Sequence, residues 1–375
     1  MPADELPGQA AELLLALTPG IGPRLRMALL DRFGSAQAVM AASAPDLQSV
    51  PGIGQKLSRS IVESRNSIDV GAEIANCRAS GVNIIAESGS DYPEVLRKIP
   101  DPPGVLFVRG EIRPTDGLAV AIVGTRHATQ YGIAQAERLA MGLARAGYTI
   151  VSGIARGIDA VAHRAALKAG GRTLAVLGSG VLNIYPPEHG PLAEEIIARG
   201  AVLSENPPHS PPLAGAFPQR NRIVTGLSLG VIVVEAADRS GALISARHAM
   251  EQGREVFAVP GRVDSRMSKG CHRLIRDGAK LVETVDDVLE ELGPLAMPTP
   301  LAGGNPEQPI RHPAELQLNE PEQAVLAKIG DEPQTIDDIA VASGLPVQNV
   351  LATISVLEMR RLIRRLGGNR VMRNY

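Results

Sequence analysis

Between residues 118 and 259, short apolar runs alternate with amphipathic helical stretches, a pattern that few folds accept. The runs are Leu118–Val123, Tyr148–Val151, Thr173–Leu177, Ala201–Leu203, Val231–Val234 and Glu255–Val259. Each is rich in β-branched residues and ends at Gly, Ser, Glu or Pro, as strands do. Helical spacing fills the gaps, over Gln130–Ala146, Ile158–Ala169 and Leu192–Ala198. Strands separated by helices pair in parallel, so the pattern predicts a doubly wound α/β sheet. Runs that are apolar at successive positions fit strands covered by helices on both faces. Ligands on such sheets bind beyond the carboxyl ends of the strands, so function is sought in the residues that follow each run.

Those residues are repeatedly Gly, Ser and Arg. The first run leads into Gly124-Thr125-Arg126, with Thr129 placed to cap the next helix. Glycine lets a ligand approach the backbone, a helix N-terminus attracts an anion, and Arg126 adds a bidentate phosphate donor. An ordinary βα turn is the alternative, since neither Gly-x-Gly-x-x-Gly nor a Walker lysine is present. The second run leads into Ser152-Gly153-Ile154-Ala155-Arg156-Gly157-Ile158-Asp159, with His163 one helical turn beyond Asp159. Asp159 and His163 are weighed as an acid–base pair against a helix-capping aspartate with a surface histidine; no nucleophile accompanies them. Phe217-Pro218-Gln219-Arg220-Asn221-Arg222 sets an aromatic among cations in a chain that is only 2 % aromatic. A base stacked on Phe217, with Arg220 and Arg222 on phosphates, is one reading; a core phenylalanine with surface arginines is the other. Ser240 and Gly241 precede a further helix and offer anion-binding amides. The segment Pro260–Lys280 holds six basic residues, Lys269 among them, against two acidic ones, which suits either a polyanion or a solvated helix face.

The formal net charge of −2 gives no bulk attraction to nucleic acid, so any such binding rests on these local clusters. The two cysteines and scattered histidines form neither a disulfide framework nor a metal-ligand pattern, and no cofactor motif is seen. No signal-peptide pattern is visible and no apolar run reaches about 18 residues, so the expectation is a cytoplasmic protein without a membrane partner.

On either side of this unit the sequence changes character. Thr18-Pro-Gly-Ile-Gly-Pro-Arg24 and Val50-Pro-Gly-Ile-Gly-Gln-Lys56 form an internal repeat between apolar helical stretches. It resembles the helix-hairpin-helix unit, whose turn amides meet a DNA phosphate; mutual packing of the hairpins is the alternative. Residues 293–315 are Pro/Gly-rich and read as a linker. Residues 316–375 read as a winged helix, with a helix over Glu320–Ile329, Thr335 capping a second, a turn at Gly344-Leu345-Pro346 and a third helix over Val347–Met359. Six arginines and no acidic residue follow Glu358, which suits a basic wing, but the third helix carries no cation before Arg360, so protein contact stands beside DNA contact. The expected domains are therefore 1–80, 81–292 and 316–375, the last two joined through the 293–315 linker.

Several motifs, taken in order, resemble the DprA/Smf DNA-processing family: Gly124-Thr125-Arg126, Ser152-Gly153-x-Ala155-Arg156-Gly157-Ile158-Asp159, Phe217-Pro218-x-Arg220-Asn221-Arg222-Ile223 and Val234-Glu235-Ala236 with Ser240-Gly241. Val256-Phe257-Ala258-Val259-Pro260-Gly261 and Gly270-Cys271-x-x-Leu274-Ile275 extend the likeness over about residues 82–282. The chain departs from the family's usual Gly-Ser-Arg at Thr125, from its Asn-Phe-Pro at Ala216 and from its Asn at His272. The resemblance implies an extended Rossmann fold that binds single-stranded DNA in a basic pocket, a homodimer, and recruitment of the RecA recombinase during natural transformation, without catalysis. By matched position and strand-end placement, it points to Gly124, Thr125, Arg126, Ser152, Gly153, Arg156, Gly157, Phe217, Arg220, Asn221, Arg222, Ser240, Gly241 and Lys269 as DNA-binding residues. Two other readings remain: a nucleotide-processing Rossmann-like enzyme of phosphoribohydrolase type, and a protein-interaction scaffold. The first would need a catalytic glutamate after a Gly-Gly-x-Gly-Thr-type turn, where this chain has Ser240-Gly241-Ala242-Leu243-Ile244-Ser245.

Overall fold

The computed structural model describes residues 8–292, 320–330, 333–359, 362–366 and 369–373. The expected 293–315 linker lies outside the described residues. Six helices come first: α1 (Gly8–Leu17), α2 (Pro23–Phe33), α3 (Ala36–Ala41), α4 (Ala44–Gln48), α5 (Gln55–Ser67) and α6 (Val70–Ala79). The repeated Pro-Gly-Ile-Gly segments are the turns before α2 and α5. Gly20 and Gly52 both hold left-handed backbone, at φ +87° and +90°, which a side chain would strain. The two hairpins embrace: a Cβ on Gly20 would lie 3.1 Å from Leu57, and one on Gly52 would lie 3.0 Å from Leu25. The repeat is therefore a reciprocal packing unit, whatever else its turns contact.

The central unit runs β1 (Asn83–Ala86), α7 (Glu94–Arg97), β2 (Val105–Gly110), β3 (Ala119–Gly124), α8 (Gln130–Arg145), β4 (Thr149–Ser152), α9 (Ile158–Lys168) and β5 (Thr173–Val176). It continues with α10 (Gly190–Arg199), β6 (Ala201–Ser204), α11 (Ala216–Gly226), β7 (Gly230–Val234), α12 (Ala242–Glu251), β8 (Glu255–Ala258), α13 (Lys269–Arg276), β9 (Lys280–Leu281) and α14 (Val285–Leu292). Every strand expected from the sequence is present to within a residue or two. Together they form one nine-stranded sheet in the order β1-β2-β6-β5-β4-β3-β7-β8-β9. The seven strands from β6 to β9 run parallel, while β1 and β2 add an antiparallel margin. Along β3 the pleat sends Val120 and Ile122 into a core with α8 and α9, and Ala121 and Val123 into one with α11 and α12. Two-sided burial is what the uninterrupted apolar runs implied. The N-terminal helices join a third cluster, in which Leu13 and Leu15 share a core with Phe107 and Val202 of the sheet.

The order reverses between β3 and β7, and a crevice opens there beyond the strand ends.

The C-terminal unit has α15 (Glu320–Leu326), β10 (Gln334–Thr335), α16 (Ile336–Ser343), α17 (Val347–Met359), β11 (Ile363–Leu366) and β12 (Arg370–Arg373). Thr335 caps α16 by accepting from the Asp338 amide at 3.2 Å, and Gly344 ends it in left-handed backbone at φ +67°. Strands β10, β12 and β11 make the small antiparallel wing. Among the described residues, no single helix is long and apolar enough to cross a membrane.

Candidate nucleic-acid interface at the strand ends

A cleft of about 600 Å³ occupies the crevice between β3 and β7, with Gly124, Thr125 and Arg126 on one side and Asn221, Ser240 and Gly241 on the other. Phe217 and Tyr185 close one wall, and Arg220 lies in the floor. Residues from five segments, from Val123 to Ser245, thus meet at one edge of one sheet.

The loops that shape the cleft are held by close backbone contacts. A Cβ on Gly124 would fall 2.0 Å from the Val234 carbonyl oxygen, so only glycine lets β3 leave the sheet here. Gly157, at φ +74°, brings its loop against the Thr125 carbonyl; a Cβ there would lie 2.3 Å from that oxygen. Two residues without glycine's freedom also take left-handed backbone beside the site, Ile154 at φ 55° and Glu235 at φ 54°. Each conformation costs about 1–2 kcal/mol and is held by its surroundings.

Glu235 corrects one expectation. The N-terminus of α8 was anticipated as an anion site, but the Glu235 carboxylate already occupies it. One oxygen accepts from the Thr129 amide at 2.9 Å and the other from the Thr129 hydroxyl. Gly132 leaves the space, since a Cβ there would lie 2.3 Å from a Glu235 oxygen. The chain supplies its own anion, and an incoming phosphate must be met by side chains and other amides.

The arginines divide sharply. Arg126 is exposed at the cleft mouth, its guanidinium carbon 5.7 Å from the Phe217 ring centroid. Arg156 is also exposed but paired, donating to Glu188 at 2.6 Å. Arg220 is buried: it donates to the Gly153 carbonyl at 2.8 Å and to the Val176 carbonyl. Burial holds its pKa down to about 10 against the opposing pull of Asp159, and Arg126 adds repulsion. Gly153 exists to admit this side chain, for a Cβ would sit 2.4 Å from the guanidinium. Arg222 points away from the cleft and is only 2 % exposed, held by Glu205 at 2.6 Å and Asp101 at 3.2 Å. It cannot reach a phosphate, because two carboxylates already surround it beneath the surface. The cause is helical. Phe217 is the second residue of α11, so positions 217, 220 and 221 share a face that Arg222 leaves.

Three further residues lie elsewhere than expected. Ser152 is fully buried and donates to the Ile122 carbonyl at 2.6 Å, cross-bracing β4 to β3 below the cleft. Lys269 is exposed but lines a second cleft with His272 and Arg273 at the end of β8, apart from the other candidates. His163 is not a surface histidine: it is wholly buried, bonded through Nδ1 to the Thr173 hydroxyl at 2.6 Å. Thr173 donates to the Ile150 carbonyl, so His163 donates to Thr173 and its Nε2 has no partner among the described residues. Burial, with the Arg220 charge behind it, lowers its pKa to about 3. Asp159 receives the Gly153 and Ala155 amides at 3.2 and 3.3 Å, and burial raises its pKa despite the nearby Arg220. Asp159 thus ties down the loop after β4, while His163 ties α9 to the start of β5 through Thr173.

Tyr185 escaped the reading of the sequence. Its ring meets that of Phe217 with centroids 5.7 Å apart and planes 48° apart. The scarcity of aromatics singled out Phe217 and applied equally to Tyr185, which lies in an Ile-Tyr-Pro-Pro loop with no charge beside it. Among the described residues, no group of three or more His, Cys, Asp or Glu is placed to hold a metal ion.

Comparison with known proteins gives a consistent result. Residues 83–293 match the family model for DNA recombination-mediator protein A, 309–369 that for the DprA winged helix domain, and 11–66 that for a SAM-like helix-hairpin-helix tandem. The Protein Smf of Synechocystis is 35 % identical over 97 % of this chain and 98 % of its own. The crystal structure of DNA processing protein A from Streptococcus pneumoniae superposes with a TM-score of 0.67 at 36 % identity, covering 75 % of this chain and 97 % of that one. A structure from Helicobacter pylori, described for the single-stranded-DNA binding mode of its DNA processing protein A, gives 0.51 at 32 % identity over 56 % of this chain and 95 % of that one.

Proposed function

Because the chain belongs to the DprA/Smf family of DNA recombination-mediator proteins, we propose that it binds single-stranded DNA in the β3/β7 cleft, protects it and hands it to the RecA recombinase during DNA uptake. The observation that carries this reading is Arg126. It is a guanidinium with no carboxylate partner among the described residues, and it stands beside the Phe217 ring at the switch point of the sheet. Phosphate attraction and base stacking, side by side, are what a sequence-tolerant single-strand site needs. The relative from Helicobacter pylori, described as binding single-stranded DNA, supports the same assignment. Gly124, Thr125, Asn221, Ser240 and Gly241 line the site, with Arg220 shaping its floor. Ser152, Gly153, Gly157 and Arg222 build it without touching the strand. The protein acts as a homodimer in this reading, and its role is binding rather than catalysis. Asp159, which lines the cleft, accepts from loop amides, and Glu235 is committed to the start of α8.

The test is binding of a fluorescent oligothymidine, single- and double-stranded, across a salt series. The expected result is preference for the single strand, weakening as salt rises. Arg126→Ala should reduce affinity about tenfold or more, as loss of a charge-assisted phosphate contact of ~1.5–3 kcal/mol does, with an unchanged thermal midpoint. Full binding by that variant would remove the cleft from the function. Delivery is read separately, as a shortened lag in RecA filament growth on the bound strand.

A further inference from the structure

Phe217 and Arg126 account for one nucleotide. Beside them, built from different loops, stands a second couple of the same kind. Tyr185 is 37 % exposed, and its ring abuts Phe217 with centroids 5.7 Å apart. Both rings border the main cleft and also a smaller recess, which Arg156 lines. Tyr185 and Arg156 line that recess together. An arginine thus attends each ring: Arg126 stands 5.7 Å from the Phe217 centroid, and Arg156 shares the recess that Tyr185 borders. Within the fold neither ring is needed as core, since each keeps part of its surface open in a chain with few aromatics to spare.

We propose that Tyr185 and Arg156 form a second nucleotide subsite, in which an unpaired base stacks on the Tyr185 ring while Arg156 takes the adjoining phosphate. The inference rests on the single-strand reading above and extends it from one nucleotide to two. The angle between the rings gives the pair a further role. Adjacent bases in a duplex lie nearly parallel, whereas these two platforms are tilted by 48°. Two neighbouring bases can occupy both only if they part from each other, which a paired and stacked duplex resists. Selectivity for the single strand then follows from ring geometry, and it needs no base-specific hydrogen bond.

The chain contains no tryptophan, so Tyr185→Trp places the sole indole of the protein at this subsite. Its emission is followed during titration with oligothymidine and with an abasic strand of the same length. Affinity is measured in parallel by anisotropy for the unaltered protein, Tyr185→Leu and Tyr185→Phe. The expected result is quenching by oligothymidine and little by the abasic strand. Tyr185→Leu should weaken binding about tenfold, within the range for one stacked base, and Tyr185→Phe should restore most of it. Tyr185→Leu should also narrow the preference for single over double strand. If the unaltered protein binds the strand while the indole stays unquenched and Tyr185→Leu binds within twofold, the subsite is overturned and the function stands. If the unaltered protein does not bind the strand at all, both are overturned.

Discussion

At the residue scale, the same side-chain type does opposite work depending on where the fold leaves it. Arg126 and Arg222 both look like phosphate ligands in the sequence, yet one is exposed with no carboxylate partner among the described residues and the other is sealed between Asp101 and Glu205. His163 shows the same lesson in its titration. Its pKa falls from 6.5 to about 3 through burial, so below pH 6.5 the unfolded chain binds a proton that the folded chain refuses. Its contribution is therefore complete above pH 6.5 and is lost progressively as pH falls toward 3, at up to ~1.4 kcal/mol per pH unit. His163→Asn keeps a donor toward Thr173 and cannot ionise. Denaturant midpoints measured from pH 7 to pH 5 should fall less steeply for this variant than for the unaltered protein. Parallel slopes would mean that His163 is protonated in the fold.

At the scale of elements, helix and strand positions were legible because periodicity and two-sided burial are local consequences of composition. The doubly wound sheet, the order of motifs and the strand ends all came from such runs. What joins the elements was not legible. Glu235 follows β7 yet caps α8, 106 positions earlier in the chain, and only the neighbouring placement of β3 and β7 makes that contact. Glu235→Ala would leave the Thr129 amide and hydroxyl without their partner and would empty the space beside Gly132. A loss of ~1–3 kcal/mol is expected, read from the urea midpoint, for a buried cap whose partners are stranded. A change below about half a kcal/mol would show that water replaces the carboxylate. The Phe217 segment is instructive in the same way. The sequence left open whether Phe217 stacks or packs; it lies in the first turn of α11, and helical spacing decides which of its neighbours face the cleft.

For the whole molecule, the local positive charge near the cleft is smaller than the sequence suggests. Arg156 is held by Glu188, Arg222 is neutralised and Arg220 spends its bonds on carbonyls. Few phosphates are therefore gripped per molecule, and the salt dependence should be shallow. Each phosphate contact contributes about 0.7 to the slope of log K against log salt on a single strand. Arg126→Ala should lower that slope by about 0.7 for the contact it removes. Glu188→Gln tests the opposite direction: releasing Arg156 from its carboxylate should tighten binding several-fold at low salt, with the gain fading as salt screens it. Weaker binding by that variant would mean that Glu188 positions Arg156 for the strand instead of competing with it.

By itself the sequence determined the class of fold, the run of strands and helices, the paired glycine hairpins and the winged helix. These follow from periodicity, turn residues and caps, which act over a few positions. It also determined the family, through motifs that keep their order. Only the tertiary structure decided which residues of those motifs share a surface. Burial, ion pairing and ring contact depend on neighbours well outside the local segment, as far apart as Glu235 and Thr129. Tyr185 joined Phe217, and Arg222, Ser152 and Lys269 left the cleft, because strand order and helix phase set distances that chain position does not record.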